Sequence, residues 1–186
     1  MTDSEIVIKA LADQQHFGEL IERYHTKLDR YIGRIGVRNP DDREDVLQEI
    51  FIKVYRNLNN FDTSLSFSSW IYRIAHNESV SWYRKQSVRP EGNLVGESDL
   101  ILELLSDDNS SAETTFDQTV NASEMSRALN ELEEKYRTVL ILRFFEYKEY
   151  EEISDILKIP VGTVGTLVYR GKQRLKTIIN PEQIHV

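Results

Sequence analysis

The sequence predicts an all-α protein of two small helical domains joined by an acidic tether, and three observations carry that reading. Apolar side chains recur at three- and four-residue spacing along most of the chain, and no stretch alternates cleanly with period two. Residues 90–126 hold nine acids and no Lys or Arg, together with Pro90, Gly92, Gly96 and the polar run from Ser106 to Ser111. That is linker composition. A basic cluster flanks it on each side: Arg73, Arg84, Lys85 and Arg89 before, with Glu78 the only acid among them, and Arg170, Lys172, Arg174 and Lys176 after.

The formal net charge of −8 over 186 residues therefore misleads, because the tether accounts for it and the rest of the chain is nearly neutral. With 40% hydrophobic and 29% charged residues the chain can bury cores, which excludes wholesale disorder. The absence of cysteine excludes a disulfide scaffold, a thiolate zinc site and a cysteine nucleophile, and fits a reducing compartment. The acidic start Met1-Thr2-Asp3-Ser4-Glu5 does not open a secretory signal, and no apolar run is long enough to span a bilayer, so a cytoplasmic protein is expected. His16, His25, His76 and His185 lack metal-ligand spacing, no glycine-rich phosphate loop occurs, and no nucleophile sits beside a base. Neither catalysis nor a cofactor nor a metal is expected.

Taken in order, a short segment over residues 4–12 precedes a helix over 16–35, whose Phe17, Leu20, Ile21, Tyr24, Leu28, Tyr31, Ile32 and Ile35 share a face. Gly36 and Asn39-Pro40 end it. Asn39 caps the next helix, with Pro40 at its first position and Asp41, Asp42 and Glu44 near the positive end of its dipole. That helix, to about residue 58, is expected to bury Val46, Leu47, Ile50, Phe51, Val54, Tyr55 and Leu58 and to expose Asp45, Gln48, Glu49, Ile52, Lys53 and Arg56. An exposed isoleucine among carboxylates is either incidental or a docking surface.

The run Asn60-Phe61-Asp62-Thr63-Ser64-Leu65-Ser66-Phe67-Ser68-Ser69-Trp70 interrupts the periodicity with hydroxyls interleaved among aromatics. The helix expected over 68–86 buries Ile71, Ile74 and Val80 and displays Trp70, Tyr72, Arg73, His76, Asn77, Trp82, Tyr83, Arg84 and Lys85. Rings that stack on unpaired bases, amides and hydroxyls that read base edges, and cations that hold phosphate together suit single-stranded nucleic acid. Core packing is the alternative for any one of those rings.

Beyond the tether, helices over 122–132 and 134–145 carry Met125, Leu129, Leu132, Tyr136, Val139, Leu140 and Phe144 on apolar faces. A short amphipathic helix then ends at a turn near Lys158-Ile159, and Pro160-Val161 opens another, the pattern of a helix-turn-helix. The second of these presents Thr163, Thr166, Tyr169, Arg170, Lys172, Gln173 and Arg174, with no acid from Pro160 to Asn180. Such a helix reads base edges near its N-terminus and grips phosphate further along.

With those residues in place, the chain resembles the extracytoplasmic-function (ECF, group 4) sigma factors of bacterial RNA polymerase over nearly its whole length. Asp45-Val46-Leu47-Gln48-Glu49-Ile50-Phe51 resembles the helix by which sigma domain 2 docks on the polymerase clamp coiled coil. Phe67-Ser68-Ser69-Trp70-Ile71-Tyr72-Arg73-Ile74-Ala75-His76-Asn77 resembles the stretch that melts and reads the −10 element, and residues 129–176 resemble sigma domain 4 with its −35 recognition helix. The resemblance implies sigma domain 2 over residues 1–88, an acidic linker over 89–120 and sigma domain 4 over 121–186. It implies that Asp45, Gln48, Glu49 and Ile52 face the clamp, and that Asp62, Thr63, Ser64, Ser66 and Phe67 form a pocket for a flipped base. Trp70, Arg73, Asn77, Arg84 and Lys85 would hold the separated strand, and Thr163, Thr166, Tyr169, Arg170, Lys172 and Arg174 the −35 duplex. Partners so implied are core RNA polymerase, through its clamp coiled coil and flap, promoter DNA, and an anti-sigma factor, often membrane-anchored in this family. About 30 linker residues extend at most roughly 100 Å, enough to bridge promoter elements about two helical turns (~70 Å) apart.

One departure stands out. Gly165 and Leu167 occupy positions where the family usually carries Lys and Arg, and Gly171 replaces Ala. Read as an exposed helix, each glycine weakens it by about 1 kcal/mol, which leads to an expected unusual −35 preference or weaker binding by this domain alone. A helix-turn-helix regulator that is not a polymerase subunit remains the rival reading, although it leaves the N-terminal loop and acidic helix face unused.

Overall fold

The computed structural model describes residues 1–86 and 122–179. The acidic tether expected over 89–120 lies outside the described residues. Among these are eight α-helices and no strand: α1 (Asp3–Ala12), α2 (Phe17–Ile35), α3 (Pro40–Asn57), α4 (Phe67–Gln86), α5 (Ala122–Glu131), α6 (Glu134–Leu140), α7 (Tyr150–Leu157) and α8 (Val161–Ile179). The chain divides into two compact units, the segment Glu151–Ile159 grouping with the N-terminal one.

In the first unit the local sequence sets each helix end. Thr2 opens α1 with a capping box: its hydroxyl accepts from the Glu5 N–H at 3.3 Å while the Glu5 carboxylate accepts from the Thr2 N–H at 2.7 Å. Helix α1 is tied to α2 by Asp3, which pairs with Arg23 at 2.7 Å and accepts a hydrogen bond from the Tyr24 hydroxyl. Burial, with the Asp3 acceptor beside it, pushes that phenol well above its usual pKa range. Gly36 ends α2 at φ 142°, a conformation side chains resist, and its N–H bonds back to the Ile32 carbonyl at 3.2 Å. Asn39 caps α3 as expected, its side chain accepting from the Asp41 N–H at 2.8 Å with Pro40 at the first position.

Leu20, Leu28, Tyr31 and Ile32 from α2, Leu47 and Ile50 from α3, and Ile71 and Ala75 from α4 form the fully buried centre of this unit. Three expectations need correction. Tyr72, read as displayed, is buried edge-on against Tyr31 at 5.2 Å between ring centroids. Tyr55, read as buried, is 42% exposed, its ring meeting Phe17 in a T-shaped pair at 5.1 Å between centroids. Ile74 and Val80 are half-buried rather than central. In each case the helical face is right and its edge is set by which neighbour arrives.

In the second unit α5 and α6 both pack on α8. Met125, Ala128, Leu129, Leu132, Tyr136, Val139 and Leu140 are buried, as are Val164, Val168 and Gly171 of α8. Helix α6 was expected to run to residue 145; it instead loosens after Leu140 into a π-helical turn, Ile141–Phe145. The Glu151–Ile159 segment, which groups with the first unit, ends in a turn at Lys158, which adopts φ 57°, and Ser154 closes it by donating to the Ile159 carbonyl at 2.6 Å.

Candidate nucleic-acid interface

On α3, Asp45, Gln48, Glu49 and Ile52 stand at i, i+3, i+4 and i+7, which places them on one stripe. All four are exposed, Ile52 at 41%, while Val46, Leu47 and Ile50 of the same helix are buried. The half-exposed Tyr55 continues the stripe by another three residues. Sequence reasoning missed it, because an aromatic at that spacing reads as core. Two carboxylates, an amide, an aliphatic and a phenol thus share one exposed face of α3.

The loop before α4 is held by its own hydroxyl and carboxyl groups. Asp62 accepts from the Ser64 N–H at 2.9 Å, and hydrogen bonding to Ser64 holds its carboxyl below the ordinary value. The Ser66 hydroxyl accepts from the Ser69 N–H at 3.2 Å, opening the helix. Asp62, Thr63, Ser64 and Ser66 are exposed. Phe67, expected in the base pocket, is instead 2% exposed. Its ring packs against Tyr24, Phe61 and Trp70 at 5.5, 5.6 and 5.7 Å between centroids, so it belongs to the core beneath the loop. Hydrophobic burial outweighs display for a ring at the first position of α4.

Trp70 is half-buried, tilted on Phe61, and one side of it faces a cavity of about 320 Å³. Lys53, Asn57, Asn60, Ile74, Asn77 and Glu78 complete the lining. Of these, only Trp70 and Asn77 were expected from sequence. Lys53 lies on α3 and pairs with Glu78 of α4 at 2.5 Å. Nothing in the local pattern announces a pairing 25 residues apart. Arg73 does not project freely: it donates to the Asp155 carboxylate at 2.6 Å and to the Asp155 carbonyl at 3.0 Å, within the same compact unit. Arg84 and Lys85 are exposed in the last turn of α4.

On α8 the exposed residues include Thr163, Thr166, Arg170 and Tyr169, the last at 66%. Thr166 donates its hydroxyl hydrogen to the Gly162 carbonyl at 2.9 Å, leaving its oxygen to accept. The later cations are engaged inside their own unit. Lys172 lies 5.6 Å from the Phe144 ring centroid, and Arg174 stacks 4.6 Å over Tyr136 while pairing with Glu133. Glycine at 171 needs a different account from the expected one. It is buried where α8 meets α6, and a Cβ there would stand 3.2 Å from Leu140 and 3.4 Å from Tyr136. It permits close helix approach rather than loosening an exposed surface. Gly165 has only ordinary contact with Tyr150.

Among the described residues no cluster of three His, Asp or Glu could hold a metal ion. No helix among them is long and apolar enough to cross a membrane.

A helical bundle with an exposed acidic–apolar stripe and an amide-rich cavity, together with a helix-turn-helix whose second helix leads with threonines and a tyrosine, is the make-up of a two-domain promoter-recognition factor. Family comparison gives the same answer: the Sigma-70 region 2 model matches residues 20–89 and the Sigma-70, region 4 model matches residues 122–175. The chain is 33% identical over 174 residues to the ECF RNA polymerase sigma factor SigW of Bacillus subtilis (strain 168), covering 88% of this chain and 89% of that one. It is 30% identical over 187 residues to the ECF RNA polymerase sigma-E factor of Escherichia coli (strain K12), covering 97% and 96%. Its fold is similar to that of CnrH, solved in complex with the cytosolic domain of CnrY, with a TM-score of 0.72 at 21% identity over 97% of this chain and 98% of that one. The chain belongs to the ECF sigma factors, and it directs RNA polymerase to promoters.

Proposed function

We propose that the labour of initiation is divided among the residues as follows. Asp45, Gln48, Glu49, Ile52 and Tyr55 dock on the clamp coiled coil of core polymerase, and the second unit reaches the flap. Asp62, Thr63, Ser64 and Ser66 shape the mouth of a pocket for a −10 base, with Phe67 holding its wall. Trp70, Asn77, Arg84 and Lys85 receive the opened strand, and Arg73 joins them when it exchanges Asp155 for phosphate. Thr163, Thr166 and Tyr169 read the −35 duplex, Arg170 holds its backbone, and Lys172 and Arg174 add charge nearby.

The observation that carries this reading is the exposed stripe on α3. A surface isoleucine flanked by two carboxylates has no use in a protein that only touches DNA, and polymerase docking gives it one. The chain contributes no chemistry of its own; polymerase and its metal ions make the phosphodiester bond, in the cytoplasm where both work. An anti-sigma factor, of the kind CnrY's cytosolic domain represents for CnrH, holds the protein inactive.

Run-off transcription with core polymerase tests the division. Glu49→Lys and Ile52→Glu should abolish co-elution with core and all promoter-specific transcripts. Arg170→Ala should keep core binding and lose selectivity for the −35 element. Full core binding by both α3 variants would overturn the docking assignment.

A further inference from the structure

The cavity beside Trp70 carries a specificity that the hydroxyl loop does not. Its lining combines one aromatic face, three side-chain amides from Asn57, Asn60 and Asn77, and a single carboxylate, Glu78. That carboxylate is largely shielded: the Glu78 side chain is 18% exposed, against 46% for its partner Lys53. Lys53 takes Oε1, and Oε2 has no partner among the described residues. Glu78 is also the only acid within the basic cluster that precedes the tether. A lone acid on a surface built to meet phosphate costs affinity through repulsion, unless it does something that a neutral residue cannot.

An ionised carboxylate is acceptor-only. Facing the edge of an extruded base, it accepts from an exocyclic amine such as N4 of cytosine or N6 of adenine. Thymine, which carries no such amine and shows carbonyl oxygens on both sides of its ring N–H, is repelled. The volume of about 320 Å³ lies at the lower end for small-molecule sites and accommodates one base stacked on the indole. Lys53 orients Glu78 through Oε1, and its remaining protons can meet the phosphate of the same nucleotide.

We propose that Glu78, positioned by Lys53, makes this cavity select an unpaired base bearing an exocyclic amine and reject thymine at one position of the opened −10 strand. The proposal rests on the −10 reading given above and adds to it the chemical class of the base.

The test uses holoenzyme assembled from the full chain and core polymerase, transcribing a promoter library randomised across the −10 element, with transcripts sequenced. Wild type should exclude thymine at one non-template position by about fivefold or more. Glu78→Gln, whose amide can donate to a carbonyl, should admit thymine there while other positions keep their preferences. Lys53→Met should lower transcription from all sequences and weaken the exclusion, because Glu78 then loses the group that positions it. Unchanged preferences in Glu78→Gln with normal transcript yield would overturn the proposal and leave the −10 reading intact. Uniform loss in both variants would also overturn it, reducing the pair to a strap between α3 and α4. Transcripts from wild type that show no −10 selectivity at all would sink the underlying reading as well.

Discussion

Asn39 shows how much a single side chain can settle. Its amide oxygen satisfies the Asp41 N–H at the head of α3, one of four donors that a helix start leaves without an internal partner. Asn39→Ala should cost about 1 kcal/mol of the first unit's stability, read as a lowered denaturation midpoint at unchanged slope. The two departures from the usual recognition helix now separate. Gly165→Ala meets Tyr150 at an ordinary 3.6 Å and should gain up to about 1 kcal/mol from helix propensity. Gly171→Leu drives a large side chain into Leu140 and Tyr136 and should lose roughly 1–3 kcal/mol through overpacking. Thermal melts of the two variants, moving in opposite directions, check this. At Asp62 the hydrogen bonds from Ser64 hold the carboxyl below the ordinary aspartate value. A depressed carboxylate pKa contributes stability that is present above the unfolded value and is lost as pH falls through the folded one. The Asx turn should therefore hold throughout the neutral range and loosen only in acid. An NMR titration of the Asp62 carboxyl carbon should give a midpoint below 3.8.

At the scale of the element, α3 and α8 each bury one face and leave the other in solvent. Helix α3 buries Val46, Leu47, Ile50, Phe51 and Val54 and leaves the Asp45–Ile52 stripe in solvent. Truncating an exposed residue on that stripe should leave stability within about 0.5 kcal/mol of wild type while core association falls. Ile52→Ala, followed by both denaturation and core pull-down, separates the two effects. This face was legible in the sequence because helical periodicity is a local code: burial every three or four residues names one side and thereby names the other. Its extension to Tyr55 was not legible, since an aromatic at core spacing carries no mark of the neighbour that fails to cover it. The same limit explains Phe67 and Tyr72, whose chemistry suits base stacking and whose positions are taken by the core. On α8 the threonines, Tyr169 and Arg170 could be read directly. The engagement of Arg174 with Glu133, 41 residues away, could not.

For the whole molecule, the net charge of −8 coexists with a DNA-binding role because charge is partitioned along the chain. Duplex affinity is governed by the cations that reach phosphate, each neutralised phosphate releasing counterions and steepening the salt dependence. Arg170→Ala should thus reduce the slope of log affinity against log salt by about one for promoter binding by the holoenzyme. Arg174→Ala should reduce it by less, because that guanidinium already shares Glu133 and the Tyr136 face. Filter binding across a salt series distinguishes the two.

Chain-local information was enough to determine most helices, the Asn39 cap, the turn at Lys158 and the exposed face of α3, since each depends on residues within a turn or two of one another. Tertiary structure alone decided that Phe67 and Tyr72 face inward, that Gly171 is a packing site, and that Lys53 meets Glu78 beside Trp70 to form a cavity. These depend on which helix arrives at a given face. That is settled by competition for burial among residues tens of positions apart, and periodicity along one helix does not encode it.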